Sequence, residues 1–381
     1  MDSFKGSLTS SEAGEAVKRG ILKACPDAEV TVLPLADGGE GTLDCIAPYI
    51  GGEEIRLKVK GPLGNTVDSS YIYDNVNETA YIEMAKASGL TLISQEERNP
   101  YLTTSFGTGE LIRDAVEKGA ARLCVFIGGS ATNDGGAGML QALGAKLLDG
   151  EGNEIRLGSI GLKDIAAVDL SGMAAVDVSG IPIEVLSGLT EAEFSELAGH
   201  SLEITVASDV TNPLCGPDGA SFVYGPQKGA SPEACSEMDK WLEGFAKLCG
   251  FDPFEEGTGA AGGMSFALKN LLGAEIRSGA ELVTEITDAE NKISGSDIVI
   301  TGEGRMDGQT VNGKAPFRIL ELGLEHGKPV HGICGILGEG SDECIKAGFR
   351  SVNPLTVPTM EKEEAIKSVE DTAEALFSHI M

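Results

Sequence analysis

The chain has 381 residues, 41% of them hydrophobic and 23% charged, which is globular composition and too long for one ordinary domain. Lys and Arg total 29 against 59 Asp and Glu, a net charge of −30, which argues against nucleic acid or an anionic membrane as partner. The eight cysteines form no CxxC pair, no run of about 18 apolar residues occurs, and no apolar leader precedes a cleavage site, so a reduced, soluble, cytoplasmic protein is expected.

The chain opens on a loop, Asp2-Ser3-Phe4-Lys5-Gly6-Ser7-Leu8. Thr9 and Glu12 then form a capping box, and Ala13, Ala16, Val17, Ile21 and Ala24 mark one face of a helix closed by Pro26. Val30–Leu33 reads as a strand, Asp37–Thr42 (DGGEGT) as a glycine-rich acidic loop, and Leu43, Ile46 and Ala47 begin another helix. This α-β-α run expects a strand before it. Ser69–Tyr73 and Thr79–Met84 alternate as a hairpin around a turn at 74–78. Thr103–Gly109 is a loop of small residues, and Glu110–Lys118 is helical.

Cys124–Ile127 is a short apolar strand that gives way to Gly128, Gly129, Ser130, Thr132, Asn133, Asp134, Gly135, Gly136 and Gly138. Met139, Leu140 and Leu143 then return at helical spacing. A strand ending in a glycine-rich turn that opens a helix is expected to offer backbone N–H groups to an anion. Pro182–Leu186 and Leu202–Ala207 are further strand candidates, the second ending in Ser208-Asp209-Val210-Thr211-Asn212-Pro213. Gly225–Ala230 (GPQKGA) follows, and Ser231-Pro232 starts a helix. Gly257–Gly262 matches GxGxxG but follows Phe251-Asp252-Pro253 rather than a strand, so a dinucleotide fingerprint is disfavoured.

Beyond residue 287 the α/β alternation becomes regular. Thr287 and Glu290 suggest a cap, Ile298–Thr301 a buried strand, and Val330–Cys334 another, with helices at 317–324, 342–347 and about 362–377. The two ends share one pattern and the middle another. The expected fold is α/β, with two α/β domains: a discontinuous Rossmann-like doubly wound domain (residues 1–65 plus 290–381) and a second α/β domain (66–289) inserted in it.

Gly308–Lys314 has Walker A spacing, but Ala315 stands where the Mg²⁺-binding hydroxyl belongs, which argues against a true P-loop. Lys314 ahead of Pro316 still suits an anion. Asp37, Glu40, Asp134, Asp209, Glu303 and Asp307 fall at expected strand ends, interleaved with Lys5, Lys228, Arg305 and Lys314. Carboxylates that hold Mg²⁺, cations and amides that hold phosphate oxygens, and an Asp that takes a hydroxyl proton are the equipment of phosphoryl transfer. No GxSxG or zinc-ligand spacing accompanies the four histidines.

These blocks together resemble the bacterial glycerate kinases of the glycerate 2-kinase type. The resemblance covers nearly the whole chain and rests on Asp2–Leu8, Pro34–Thr42, Arg98–Leu111, Ile127–Gly144, Ser208–Ser221, Gly225–Ala230, Gly257–Met264 and Ile300–Pro316. It implies transfer of the ATP γ-phosphoryl group to a hydroxyl of D-glycerate, 2-phosphoglycerate favoured, with Mg²⁺, in a cleft between two α/β domains. On that basis Lys5 and Lys314 are expected to hold phosphate, with Gly128, Gly129, Ser130, Gly135 and Gly136. Asp134 or Asp209 is expected as base or metal ligand, and Glu303 and Asp307 as holders of the Mg²⁺-nucleotide. Arg305 or Lys228 is expected to pair with the substrate carboxylate, and Asp37 and Ser7 are expected to bind substrate as well. A homodimer is compatible with the resemblance. A non-catalytic nucleotide or sugar-acid binding protein is the alternative. One departure stands out: family members usually carry a short apolar strand before DSFKGSL, and here only Met1 precedes it, so the expectation is either a misplaced start or a terminal sheet that lacks a strand and an unstable, poorly active product.

Overall fold

The computed structural model describes residues 1–4, 6–173, 202–311, 313–357 and 361–380. It divides into two compact units, one from Met1–Asp37, Asp44–Ile50 and Ser278–Met381, the other from Gly38–Leu43 and Gly51–Arg277. Lys5 and the strand candidate at 182–186 lie outside the described residues.

The larger unit is organised by a six-stranded sheet. Its strands are β1 (Glu53–Lys60), β2 (Thr66–Asp74), β3 (Thr79–Glu83), β4 (Arg122–Phe126), β7 (Glu203–Ala207) and β8 (Glu275–Arg277), in that spatial order. β5 (Lys146–Asp149) and β6 (Ile165–Asp169) form a separate antiparallel pair. β1, β2 and β3 pair antiparallel, and β3, β4, β7 and β8 pair parallel. In β1 the apolar Ile55, Leu57 and Val59 alternate with charged residues, the period of a half-covered edge strand. Its full-length pairing with β2 draws residues 51–65 into this unit, not into the terminal domain as expected. Residues 278–289 move the other way, joining the smaller unit. The β2–β3 hairpin forms where alternation placed it, and Asp74 closes its turn by accepting from the Val76 and Asn77 amides. Helices cover the sheet: Phe106–Glu117 buries Leu111, Ile112 and Ala115, and Pro232–Leu248 buries Met238, Leu242 and Phe245. Leu111, Ile112, Ala115, Leu242 and Phe245 join Tyr71, Ile82, Val125 and Phe266 in one core, where truncating a single leucine costs about 2–5 kcal/mol.

The smaller unit holds a parallel sheet in the order β11 (Ser351–Pro354), β10 (Val330–Leu337) and β9 (Val299–Met306). The Thr9–Glu12 capping box opens the helix Ser10–Ala24, which packs along Lys362–Ile380 through Ala13, Ala16, Val17, Val369 and Ala373. Val30–Leu33, expected as a strand, lies outside the sheet. Met1 and Asp2 occupy the space between that segment and β9, with Met1 N donating to the Leu33 carbonyl (3.4 Å) and Leu35 N to the Met1 carbonyl (3.0 Å) on one side and Asp2 N to the Gly302 carbonyl (2.8 Å) on the other. Two residues supply too few groups for a ladder. The cap expected at Thr287 is also displaced: its hydroxyl donates to the Val283 carbonyl and closes the helix Gly279–Ile286, and Ala289–Ser294 starts after Asp288. All eight cysteines are free thiols. Among the described residues, no helix is long and apolar enough to cross a membrane.

Candidate active site

Parallel strands bring their carboxyl ends to one edge, where α/β proteins bind ligands. In the larger unit the register aligns Glu83, Phe126, Ala207 and Arg277 across β3, β4, β7 and β8. The loops leaving this row are Met84–Leu90, Gly128–Gly138 and Ser208–Pro213. Gly38–Leu43 joins them from elsewhere in the chain, and Glu83 holds it there. The buried carboxylate of Glu83 accepts from the Gly41 amide (2.9 Å) through one oxygen and the Leu43 amide (3.0 Å) through the other. The two glycine-rich loops then touch through their backbones: a Cβ on Gly128 would stand 2.5 Å from the Gly39 Cα, so only glycine fits. The Gly128 amide donates to the Gly38 carbonyl.

The expected cradle of free amides is largely turned inward. Ala131 N donates to the Ser88 carbonyl, Gly135 N to the Gly262 carbonyl and Ala137 N to the Asp134 carbonyl. Gly136 N and Gly138 N donate to the Asp134 carboxylate, and Met139 N to Ser105 Oγ. The helix that follows, Ala137–Ala142, has only six residues. Residues 130–138 are buried, whereas Gly128 is half-buried and Gly129 exposed, so the surface the loop offers is its first two glycines.

Asp134 sits at the centre of this wiring and is 1% exposed. One carboxylate oxygen accepts from Ser105 N (2.8 Å), Ser105 Oγ (2.9 Å) and Gly138 N (3.3 Å), and the other from Gly136 N (3.2 Å). Burial pushes its carboxyl above the ordinary range while these donors pull it back. Lys228 is brought to the same loop by the turn Pro226–Lys228. Its Nζ donates to Ser130 Oγ (2.9 Å) and to the Thr132 carbonyl (2.6 Å). Burial lowers its ammonium to about 7, opposed by the charge of Asp134. Asp209 follows β7 and is exposed, one residue after Ser208, whose amide donates to the Arg277 carbonyl. The GxGxxG segment serves as a buttress: the Gly257 and Gly259 amides donate to the Thr211 and Asn212 carbonyls, and Gly262 accepts from Gly135. Ala261 beside it holds a left-handed conformation (φ 54°, ψ 36°) that an L-residue with a Cβ adopts at a cost.

The smaller unit has its own cluster at the end of β9. Glu303 is buried and accepts from Thr310 Oγ1 (2.7 Å) and Lys314 Nζ (3.3 Å). Burial pushes its carboxyl up, Thr310 and Lys314 draw it down, and the neighbouring Asp307 raises it again. Asp307 pairs with the exposed Arg305 (3.0 Å) and accepts from the Gln309 amide. Lys314 stands at the start of the helix Ala315–Glu325, with Pro316 in its first turn. The Walker-like spacing thus folds as a turn whose threonine and lysine converge on Glu303. Asp37 and Ser7 are both half-buried in this unit, and the Ser7 hydroxyl donates to the Phe4 carbonyl (3.0 Å).

The expected residues therefore gather in two groups, Ser130, Asp134 and Lys228 in the larger unit and Glu303, Arg305, Asp307 and Lys314 in the smaller. Among the described residues no group of three or more His, Cys, Asp or Glu is arranged to hold a metal ion. A pair of carboxylates such as Glu303 and Asp307 suits Mg²⁺, which is commonly held by one or two carboxylates together with substrate phosphates. Sequence reasoning passed over Glu83 and Ser105. The signal for Glu83 was a lone acid in the apolar run Tyr81-Ile82-Glu83-Met84, next to the point where the strand ends.

Carboxylates and cations among glycine-rich loops at strand ends define an α/β transferase of the kinase class. The chain belongs to the glycerate kinase family, whose model matches residues 1–381. It is 42% identical over 377 residues to a protein of Escherichia coli K12 named glycerate 2-kinase, covering 97% of this chain and 93% of that one. It is also 42% identical to the glycerate kinase of Bacillus subtilis 168, covering 100% and 96%. A crystal structure from Salmonella typhimurium LT2, assigned as a glycerate kinase 2, superposes with a TM-score of 0.79 at 39% identity, covering 100% of this chain and 96% of that one. The chain is accordingly an enzyme, a kinase.

Proposed function

We propose that this kinase transfers the γ-phosphoryl group of ATP to a hydroxyl of D-glycerate, giving 2-phosphoglycerate and ADP. The observation that carries the reading is the cluster at the end of β9, where Glu303 and Asp307 lie beside Lys314 and Arg305. Two carboxylates with two cations match a metal-bound polyphosphate in charge and donor chemistry. The acceptor is supported by the names of the E. coli and B. subtilis relatives.

In this reading Lys314 holds phosphate oxygens. Arg305, exposed and able to bind two oxygens at once, takes the glycerate carboxylate or a phosphate. Glu303 and Asp307 are the residues that would hold Mg²⁺, which would supply charge neutralisation on the phosphates. A glycerate hydroxyl forms the new P–O bond as the bond from the γ-phosphorus to the bridging oxygen breaks, ADP leaves, and the hydroxyl proton passes to a carboxylate. Asp209, exposed at a strand end, suits that proton transfer better than the enclosed Asp134. Gly128 and Gly129 are the part of their loop open to a ligand.

The test is ADP release from ATP and Mg²⁺ with and without D-glycerate, followed by phosphorus NMR of the product. Glycerate-dependent release with a 2-phosphoglycerate resonance is expected. Release that ignores glycerate overturns the acceptor, and a 3-phosphoglycerate resonance overturns the regiochemistry.

A further inference from the structure

Lys228 was expected to reach the substrate carboxylate, but it is 2% exposed and its Nζ is directed into the protein. We propose that Lys228 is a positioning residue: its side chain fixes the Ser130–Thr132 turn, which continues directly from the exposed Gly128–Gly129 step, through its bonds to Ser130 Oγ and the Thr132 carbonyl. The inference rests on the kinase reading above.

Three observations place the side chain there for that task. The GPQKGA loop is seated on residue 98, with Arg98 Nη1 donating to the Gln227 carbonyl (3.1 Å). Gly229 takes φ +93°, and a Cβ on it would stand 2.4 Å from the Arg98 carbonyl, so the turn that carries Lys228 lies directly on that backbone. The target loop is pinned at other points by backbone partners, Gly128 N to the Gly38 carbonyl, the Gly129 carbonyl to Leu90 N, Ala131 N to the Ser88 carbonyl and Gly135 N to the Gly262 carbonyl. Thr103 Oγ1 also donates to the Ala131 carbonyl (2.8 Å). Between those pins, Ser130 and Thr132 are held by the lysine. The Asp134 carboxylate is the charge that favours the ammonium form. A buried ammonium is otherwise unfavourable, and an unbranched apolar side chain of similar length would avoid its desolvation. What such a replacement would lose is the pair of bonds that set the loop.

That difference separates positioning from a general structural role. Lys228→Met is expected to lower kcat about 100-fold, the scale of a small misplacement of reacting groups. KM for ATP and for D-glycerate is expected to stay within about threefold, and Tm to stay equal or rise. Arg98→Ala, which keeps the Lys228 side chain but removes the bond from Arg98 Nη1 to the Gln227 carbonyl and so loosens the turn that carries the lysine, is expected to lower kcat about tenfold with KM unchanged. A kcat for Lys228→Met within about threefold of the parent overturns the proposal. So does a tenfold rise in glycerate KM at unchanged kcat, which means direct contact with substrate. If Lys228→Met does not fold, Arg98→Ala decides on the same criteria. Absence of glycerate-dependent ADP release in the parent enzyme is a different failure, that of the kinase reading itself.

Discussion

Replacing Asp134 with Asn is the most informative single change in the larger unit. The carboxylate accepts four hydrogen bonds, three on one oxygen and one on the other. Asparagine keeps one acceptor. Turned toward Ser105 and Gly138, its carbonyl preserves three bonds, but its NH2 then faces the Gly136 amide, donor against donor. A buried donor left unpaired costs about 1–3 kcal/mol. Relief of the buried charge, which already pushes this carboxyl upward, returns part of that. The net loss is about 2 kcal/mol, or about 4–8 °C in Tm for a unit of this size. Lys228 also loses the charge that supports its ammonium form, so its pKa moves further below about 7. Scanning fluorimetry with kcat measured well below the melting range separates the two effects, and turnover is expected to fall sharply. A melting temperature within 1 °C of the parent (about 0.3–0.5 kcal/mol on the same scale) would refute the view that this carboxylate ties the loop together.

Further outcomes follow from other residues. Lys228 has a folded pKa of about 7 against an ordinary 10.5, a difference of 10.5 − 7 = 3.5. The unfolded chain therefore binds more protons between those values, and stability rises with pH across that window, by at most on the order of 5 kcal/mol. Urea midpoints at pH 7 and pH 9 should show this rise in the parent and its loss in Lys228→Met; an equal rise in both assigns it to another group. Ala261→Gly relieves a left-handed Cβ and should raise stability by about 1 kcal/mol, and a lower Tm would show that the conformation is not strained. Asp209→Asn should lower kcat about 100-fold or more, whereas unchanged turnover removes Asp209 from the proton transfer.

Local pattern was enough for elements whose partners lie nearby in sequence. The β2–β3 hairpin, the Thr9–Glu12 cap and the Ser231-Pro232 helix start stand where alternation and capping chemistry put them. Val30–Leu33 has equal strand propensity and is not a strand, because a strand exists only with a ladder, and among the described residues it joins none. The alternation of Ile55, Leu57 and Val59 in β1 is masked by its charged neighbours, since an edge strand rich in charge looks like a solvated loop. The loops of the site were also recognisable, and their glycines marked real close approaches. Whether an amide there is free was not legible, because that depends on carbonyls distant in sequence, such as Gly38 for Gly128 and Gly262 for Gly135. The same holds for Glu83, whose role depends on a loop forty residues earlier.

The route of the chain carries a consequence of its own. It enters the larger unit for Gly38–Leu43, leaves it for Asp44–Ile50, and returns at Gly51. Those six residues are an interlacing stitch. A fragment cut cleanly at 51–277 would discard the peptide whose Gly41 and Leu43 amides donate to both oxygens of the buried Glu83. Gene fusion, limited digestion or modular recombination would therefore treat this enzyme as one indivisible fabric, despite the two bodies visible in it.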